Sequence, residues 1–294
     1  RKTSKSIFSS EMITIGLDPN IIALGPFLFS WHGFFTFVAV AVAVMWVAHW
    51  APKILTGYAT SSSDEAAAQE EIKDMVYATA IWGILSGVVG ARLVHVIDQW
   101  SEIYAQNPAQ ILAVWQGGIA LWGGILGGLA GASLYAYIRK FPVTKLMDLT
   151  APALLLAQAI GRIGDMINGE HVSRATSMIW GVVWSNPKSP TYQAYGETPT
   201  HPAVGYELAW DLVGLWFIWY ILRGRVRPDG MLFVLYIGIY AFGRFFISFF
   251  REDKIWFLGL QQSQLISILV LAIVIPVIAY GIRFVDKGSG EDGA

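Results

Sequence analysis

Residues 146–166 of the chain, LMDLTAPALLLAQAIGRIGDM, form a largely apolar run that is long enough to cross a membrane. A helix needs about 20 such residues to span the hydrocarbon core of a bilayer. The run continues into INGE at 167–170, and the polar residues at its end are Arg162, Asp165, Asn168 and Glu170. A helix end needs only one or two polar residues. Four residues of both charge signs therefore indicate a membrane helix that ends in a functional polar site.

Six further apolar runs predict an all-α, polytopic membrane protein with about seven transmembrane helices and an external loop or cap. The chain of 294 residues is 55 % hydrophobic and only 14 % charged, whereas a soluble globular domain has about 25 % charged residues. The spans are predicted near residues 21–50, 75–97, 118–138, 146–166, 206–223, 230–250 and 262–284.

Composition excludes several classes of function. The net charge of −1 gives no basic face of the kind that binds nucleic acid, so no nucleic-acid partner is predicted. The chain has no cysteine, which excludes disulfides and cysteine-ligated metal, and any thiol chemistry must use a thiol from the substrate. Its five histidines lack metal-ligand spacing, and neither a metal nor another cofactor is predicted.

Three segments are predicted along the chain. Residues 1–20 form an external N-terminal segment, residues 21–285 form the seven-helix membrane domain, and residues 286–294 form a disordered tail. Within the domain, residues 168–205 contain four prolines among polar residues and are predicted to form an external cap. No cleaved signal peptide is predicted, since the required order of charged, apolar and small residues is missing.

The distribution of Lys and Arg predicts the orientation of the spans, because cytoplasmic loops are enriched in these residues. The loops and C-terminus on one side contain ten of them, against four in the loops on the other side. Arg1, Lys2 and Lys5 narrow the difference to ten against seven. The N-terminus is therefore predicted outside the cell and the C-terminus in the cytoplasm.

Arginines inside the spans are a strong indication of function. Arg92, Arg162 and Arg244 lie in or at the edge of apolar spans, and Arg251 follows Arg244 by two helical turns. A charge at the bilayer centre costs about 2.5–3.5 kcal/mol on insertion scales. The alternating direction of the spans gathers these arginines in the outer half of the membrane, where guanidinium groups suit a lipid phosphate. The alternative is a structural role, with each arginine neutralised by a carboxylate or by helix-end carbonyls.

Histidines near the predicted helix ends have two interpretations each. In HPAVGYE (201–207), His201 is a candidate for binding phosphate or moving a proton, but a histidine at a helix start is more often a cap or packing residue. His32 in SWHGFF is open to the same two interpretations, whereas His95 is predicted to be an interfacial hydrogen-bonding residue. The glycines of residues 117–131 predict close helix packing, or else room for a lipid.

Taken together, these motifs resemble those of the bacterial prolipoprotein diacylglyceryl transferases over roughly residues 20–285. The matching stretches are GARLVHV (90–96), WQGGIALWGGILGG (115–128), GRIGDMINGE (161–170), HPAVGYE (201–207) and YAFGRFFISFFRED (240–253). The resemblance implies transfer of the diacylglyceryl group of phosphatidylglycerol to the lipobox cysteine thiol of a prolipoprotein signal peptide, with release of glycerol phosphate. Phosphatidylglycerol, this signal peptide and membrane lipid are thus the expected partners, and the plasma or inner membrane is the expected location.

The resemblance also implies roles for individual residues. Arg162 and Arg244 match the two arginines thought to hold the phosphate. Other residues on family motif positions are Asn168, Glu170, His201, Tyr206, Glu207, Tyr240 and Arg251. Preplaced guanidinium groups stabilise the negative charge that the departing glycerol phosphate gains. His201 and Tyr240 are both candidate proton acceptors, and Glu170 is expected to orient an arginine or the outer loop.

Four positions depart from the family pattern. Asp165 stands where the family usually has Asn, Trp122 where many members have His, His32 where many have Tyr, and Ser248 where a Glu is usual. Asp165 places a carboxylate beside the expected phosphate site, and one hypothesis is that His32 replaces the missing His from the first span.

Two other functions remain open at this stage. A homologue could keep the scaffold and lipid site without the chemistry, as an accessory or structural subunit of a membrane complex. A lipid or solute transporter has less support, since no inverted pair of broken helices is found.

Overall fold

Eight α-helices dominate the computed structural model, which describes residues 12–24, 27–59, 64–113 and 117–285. The helices are α1 (Trp31–Leu55), α2 (Glu65–Asp98), α3 (Leu121–Ile138), α4 (Val143–Asn168), α5 (Pro190–Tyr195), α6 (Ala203–Trp216), α7 (Met231–Ile247) and α8 (Gln262–Gly281). The predicted disordered tail, residues 286–294, lies outside the described residues, as do residues 1–11 of the predicted N-terminal segment.

Short β-strands in the segments between and beside the helices form two-stranded pairs. They are β1 (Ile13–Ile15), β2 (Asn20–Leu24), β3 (Phe27–Ser30), β4 (Val182–Trp184), β5 (Val226–Arg227), β6 (Ile255–Phe257), β7 (Leu260–Gln261) and β8 (Arg283–Phe284). β1 pairs with β4 in parallel, while β2–β3, β5–β8 and β6–β7 are antiparallel. The β1–β4 pair attaches the N-terminal segment to the segment of residues 169–202, which contains β4 and α5.

The prediction of an all-α, polytopic membrane protein is confirmed. Among the described residues, six helices are long and apolar enough to cross a membrane. The further span predicted at 206–223 is helical from Ala203 to Leu222, but its last six residues, Phe217–Leu222, form π-helix. Its α-helical part of 14 residues is too short to belong to the six.

Two helix starts differ from the prediction. The first span was predicted from residue 21, but α1 begins at Trp31, because residues 20–24 and 27–30 pair as antiparallel strands. The Ser30 hydroxyl then accepts a hydrogen bond from the Gly33 amide at 3.1 Å, which caps the new helix. The second span was predicted from residue 75, but α2 already begins at Glu65, with Asp64 as its N-cap.

The described residues group into two compact units, one of residues 44–146 and the other of the remainder. In the unit of residues 44–146, α2 and α3 pack closely through glycines of both helices. A Cβ atom at Gly127 would lie 2.6 Å from the carbonyl oxygen of Ser86 and 3.1 Å from Cα of Gly90. Such a contact excludes any side chain at these positions, which supports the packing interpretation of the glycine run.

In the other unit, an apolar cluster joins α4, α6 and α7 with residues such as Leu155, Ile218 and Phe233. The Asp148 carboxylate of α4 accepts hydrogen bonds from the amides of Gly230 and Phe233, at 2.7 Å and 2.9 Å, at the start of α7. This contact places the starts of α4 and α7 at the same level. Both helices then rise for more than three turns towards their polar ends.

Candidate active site

Glu207 is the centre of a buried ionic cluster. Its Oε2 lies 2.9 Å from Nη2 of Arg162, and its Oε1 contacts Nη1 of both Arg244 and Arg251, the latter at 3.3 Å. The cluster therefore joins three of the arginines that the sequence singled out. Each comes from a different part of the chain, because Arg162 lies near the end of α4, Arg244 near the end of α7 and Arg251 in the loop that follows.

Arg162 and Arg244 lie at the same depth because each follows the Asp148–Gly230 contact by the same number of residues. Arg162 follows Asp148 by fourteen residues, and Arg244 follows Gly230 by fourteen. At 1.5 Å per residue, both lie about 21 Å along their helices from the Asp148–Gly230 contact. Glu207 lies in the second turn of α6, which begins at this level and runs the opposite way.

Accessibility separates the three arginines. The side chains of Arg162 and Arg244 are 16 % and 17 % exposed, whereas that of Arg251 is only 4 % exposed. Arg251 also contacts Asp253 through Nε at 3.0 Å. Arg162 and Arg244 can therefore still reach an incoming anion, while Arg251 is enclosed and holds Glu207 in place.

Asp165 forms a second centre beside the first. Its Oδ2 accepts a hydrogen bond from Nη1 of Arg162 at 2.9 Å and lies 3.6 Å from Nε2 of His171. Its Oδ1 lies 2.5 Å from Nδ1 of His32 at the start of α1. Asp165 is almost fully buried, whereas the side chain of His32 is 52 % exposed. Two of the four positions that depart from the resembled family's pattern, His32 and Asp165, are thus in direct contact.

A glycine allows α1 to approach α4 at this point. A Cβ atom at Gly164 would lie 2.9 Å from Cα of His32, 2.9 Å from the carbonyl oxygen of Trp31 and 3.0 Å from Cβ of Phe35. These distances are shorter than ordinary van der Waals contacts between carbon atoms. Glycine at 164 is therefore needed for the contact between His32 and Asp165.

Asn168 and Glu170 lie at the end of α4, where the chain turns sharply. Asn168 is buried, and its Nδ2 lies 3.5 Å from Oε1 of Glu170. Gly169 has φ +69° and His171 has φ +60°, a conformation that is uncommon for a residue with a side chain. The turn directs His171 back towards Asp165. Glu170 was expected to orient an arginine or the outer loop, and its observed partner is Asn168 in this turn.

His201 and Tyr206 belong to an aromatic group at the start of α6. Nδ1 of His201 lies 3.3 Å from the hydroxyl of Tyr206, which accepts a hydrogen bond from Nε1 of Trp180 at 2.8 Å. The His201 ring also packs on Phe250, at 5.0 Å between centroids. Partial burial lowers the pKa of His201 below its usual value, so the neutral imidazole is favoured. These contacts agree with a packing role and leave the ring able to accept a proton.

Tyr240, the other candidate proton acceptor, lies one turn before Arg244 and packs at the edge of the apolar cluster of α4, α6 and α7. Asp211 lies one turn after Glu207 and was not predicted. It is only 2 % exposed, and its Oδ2 has no hydrogen-bond partner among the residues that the structure describes. The spacing of four residues between Glu207 and Asp211 puts them on one face of α6, which is the signal that could have identified Asp211.

Three residues of the sequence argument have structural roles or lie elsewhere. Arg92, in the unit of residues 44–146, donates hydrogen bonds to the backbone carbonyls of residues 110, 111, 117 and 118. For Arg92 these contacts support the structural alternative, in which backbone carbonyls satisfy the guanidinium group. Trp122 lies in the same unit. Ser248 is buried, and its hydroxyl contacts the Arg244 carbonyl at 2.6 Å and the Ser263 hydroxyl at 2.9 Å, which links α7 to α8.

The arrangement is suited to binding an anion next to a basic side chain. Two partly accessible guanidinium groups share one carboxylate, so each keeps N–H donors for another acceptor. A carboxylate and two imidazoles lie next to Arg162. Within the described ranges, no group of three or more His, Asp or Glu side chains is arranged to hold a metal ion.

Comparison with known proteins identifies one family. The model of the family described as prolipoprotein diacylglyceryl transferase matches residues 19–280. A phosphatidylglycerol–prolipoprotein diacylglyceryl transferase of Dehalococcoides mccartyi is 34 % identical over 273 residues, which cover 92 % of this chain and 96 % of the relative. Proteins of the same name from Trichormus variabilis and Listeria innocua are 33 % and 31 % identical. The matches cover 85 % and 90 % of this chain, and 84 % and 90 % of the relatives.

Proposed function

The chain belongs to the prolipoprotein diacylglyceryl transferase family, and we propose that it transfers the diacylglyceryl group of phosphatidylglycerol to the lipobox cysteine of prolipoproteins. The thiol sulfur attacks the carbon of the diacylglyceryl group that is bonded to the phosphate oxygen. The headgroup leaves as glycerol phosphate. The protein is accordingly a multi-pass membrane transferase. Its own lack of cysteine agrees with a reaction in which the substrate brings the thiol.

The observation that carries this proposal is the convergence of Arg162 and Arg244 on Glu207. Two guanidinium groups from separate helices lie within reach of one small anion, at the polar ends of α4 and α7. A phosphodiester offers oxygens on several sides, and the planar guanidinium fork matches them in a bidentate way. The partial exposure of both side chains supports access for the phosphate, whereas Arg251 is too enclosed for this role.

Arg162 and Arg244 would stabilise the transition state more strongly than the bound lipid. The phosphate of phosphatidylglycerol carries one negative charge, and breaking the carbon–oxygen bond adds a second to the leaving group. Guanidinium groups that are already in place stabilise this growing charge without further reorganisation. Glu207 contributes by holding both arginines at a fixed separation, which it does through its two carboxylate oxygens.

The proposal includes an orientation in the cell membrane. The ionic cluster lies at the ends of α4 and α7, opposite the Asp148–Gly230 contact, and the basic loop of residues 223–229 precedes that contact. The excess of Lys and Arg in such loops supports a cytoplasmic location for them. The catalytic end then faces the outer leaflet of the plasma or inner membrane, where an exported signal peptide presents its lipobox.

A direct test uses the full-length protein in vesicles of phosphatidylglycerol with a lipobox peptide. Mass spectrometry should find a thioether-linked diacylglyceryl peptide, and the matched Cys→Ser peptide should give none. Arg244→Ala should lower turnover by about 10²–10³-fold, as expected for loss of one oxyanion donor. Arg227→Ala is the matched control, because Arg227 is exposed and pairs only with the nearby Asp229 among the contacts described. Absence of product with the wild-type protein, or equal effects of both substitutions, would contradict the proposal and favour a lipid-binding accessory protein.

A further inference from the structure

We propose that His32, oriented by Asp165, is the general base that removes the proton from the substrate thiol; this inference rests on the proposed transferase function. The side chains meet at 2.5 Å between Nδ1 of His32 and Oδ1 of Asp165. The sequence alone left the base open between His201 and Tyr240, and the contact with a carboxylate distinguishes His32 from both.

A carboxylate–imidazole pair has the properties that a base requires. Asp165 accepts the hydrogen on Nδ1, which fixes the neutral tautomer with Nε2 free to accept a proton. It also stabilises the imidazolium that forms when the thiol proton arrives. Because a free thiol is mostly protonated at neutral pH, with a pKa of about 8.5, the reaction needs such a group close to the sulfur.

The position of the pair agrees with this role. His32 is half exposed, so a substrate can reach its ring, whereas Asp165 is 6 % exposed and is shielded. The second oxygen of Asp165 binds Arg162, one of the two proposed phosphate ligands. The proposed base and the phosphate site therefore share Asp165. The reacting glycerol carbon would lie between them, with the attacking sulfur on the His32 side and the leaving phosphate oxygen on the Arg162 side.

The other candidate bases have weaker arrangements. His171 also faces Asp165, but at 3.6 Å and on the oxygen that binds Arg162. His201 is hydrogen-bonded to the Tyr206 hydroxyl and packs against the Phe250 ring, and it has no described carboxylate contact. Tyr240 packs at the edge of the apolar cluster of α4, α6 and α7. His32 has the shortest carboxylate contact of these groups, and Gly164 makes that contact sterically possible.

In the proposed step, His32 carries the proton from the thiol to the leaving group. Nε2 of His32 takes the thiol proton, and the sulfur forms a bond to the phosphate-bearing carbon of the diacylglyceryl group of phosphatidylglycerol. The bond between that carbon and the phosphate oxygen breaks, and its electron pair stays on the oxygen. The proton on His32 then passes to the departing glycerol phosphate. His32 returns to its neutral form, and no oxidant, reductant or metal takes part.

The test compares two peptides with the full-length protein in phosphatidylglycerol vesicles. His32→Asn keeps a donor towards Asp165 but has no proton acceptor in place of Nε2. With the cysteine peptide, its kcat should fall by about 10²–10⁴-fold, the usual contribution of general acid–base catalysis. With a selenocysteine peptide, whose selenol is ionised at neutral pH, the loss should be less than about tenfold, because the proton transfer of general base catalysis is no longer needed.

Controls separate this role from damage to the fold and from failure of the proposed function. His49→Asn makes the same substitution near the other end of α1, where His49 contacts Lys53, and should leave both activities unchanged. Imidazole added to His32→Ala should restore part of the activity towards the cysteine peptide. Equal losses of His32→Asn on both peptides, or no loss on either, would overturn the inference while the wild-type activity still stands. A wild-type protein that modifies neither peptide would overturn the proposed function and this inference with it.

Discussion

Gly164→Ala is a single-methyl perturbation whose effect can be worked out from neighbouring atoms. The new Cβ would lie 2.9 Å from the carbonyl oxygen of Trp31, 2.9 Å from Cα of His32 and 3.0 Å from Cβ of Phe35. The first two of these atoms belong to the backbone of α1. Ordinary carbon contacts need about 3.5–4.0 Å, so α1 must move away from α4 by several tenths of an ångström. Overpacking of this kind costs about 1–3 kcal/mol.

Gly161→Ala is the matched control for this prediction. It lies one turn earlier in α4, and an added Cβ there meets no atom of another described segment within 4 Å. Both substitutions gain about 0.5–1 kcal/mol from the higher helix propensity of alanine, so this contribution cancels between them. Gly164→Ala should therefore be less stable than Gly161→Ala by the overpacking cost alone, about 1–3 kcal/mol.

Thermal unfolding in detergent, followed by the fluorescence of the 13 tryptophans, measures this difference. A domain of comparable size changes its unfolding temperature by about 2–4 °C per kcal/mol. Gly164→Ala should also lose transferase activity, because the shift of α1 lengthens the 2.5 Å contact between His32 and Asp165. Equal unfolding temperatures for the two variants, together with wild-type activity of Gly164→Ala, would refute the packing argument and the role of the contact.

Two further predictions concern buried charges. Glu207→Gln removes the carboxylate that three arginines share and should lower the free energy of unfolding by about 3–5 kcal/mol, as when one partner of a buried ion pair is lost; an unchanged unfolding temperature would contradict this. Arg92→Gln leaves the carbonyls of residues 110, 111, 117 and 118 without their donor and should destabilise the protein by several kcal/mol, at about 1.5–3 kcal/mol per charged hydrogen bond. The KM for phosphatidylglycerol should stay unchanged. A raised KM in lipid titrations of the stable fraction would restore a role for Arg92 in phosphate binding.

Helices were predictable because the length and apolarity of a run decide whether it spans a membrane, and these are local properties of the sequence. The start of α1 was not predictable in the same way. Residues 20–30 are as apolar as a span, but residues 20–24 and 27–30 pair as antiparallel strands, and the cap at Ser30 starts the helix only after them. Hydrophobicity thus located the spans, while hydrogen bonding at their ends determined where the helices begin.

Roles of the arginines were predictable only in part. Position in an apolar span marked Arg92 and Arg162 alike as costly charges that need a partner. The partner of Arg92 is a set of backbone carbonyls in a neighbouring loop, and no sequence pattern reveals such a set. Arg162 finds a carboxylate 45 residues away in Glu207. The difference between a structural and a functional arginine therefore depends on tertiary contacts.

The two departures at positions 32 and 165 show what a residue-by-residue comparison misses. Taken separately, a carboxylate at Asp165 weakens the positive potential around Arg162, and an imidazole at His32 has no evident purpose. Their contact at 2.5 Å changes this interpretation, because the Asp165 carboxylate can accept the Nδ1 hydrogen of His32 and orient the ring. A neutral pair of hydrogen-bonding residues would hold α1 against α4 equally well but could not accept a proton. Under the proposed mechanism, the two departures together supply acid–base chemistry at this contact.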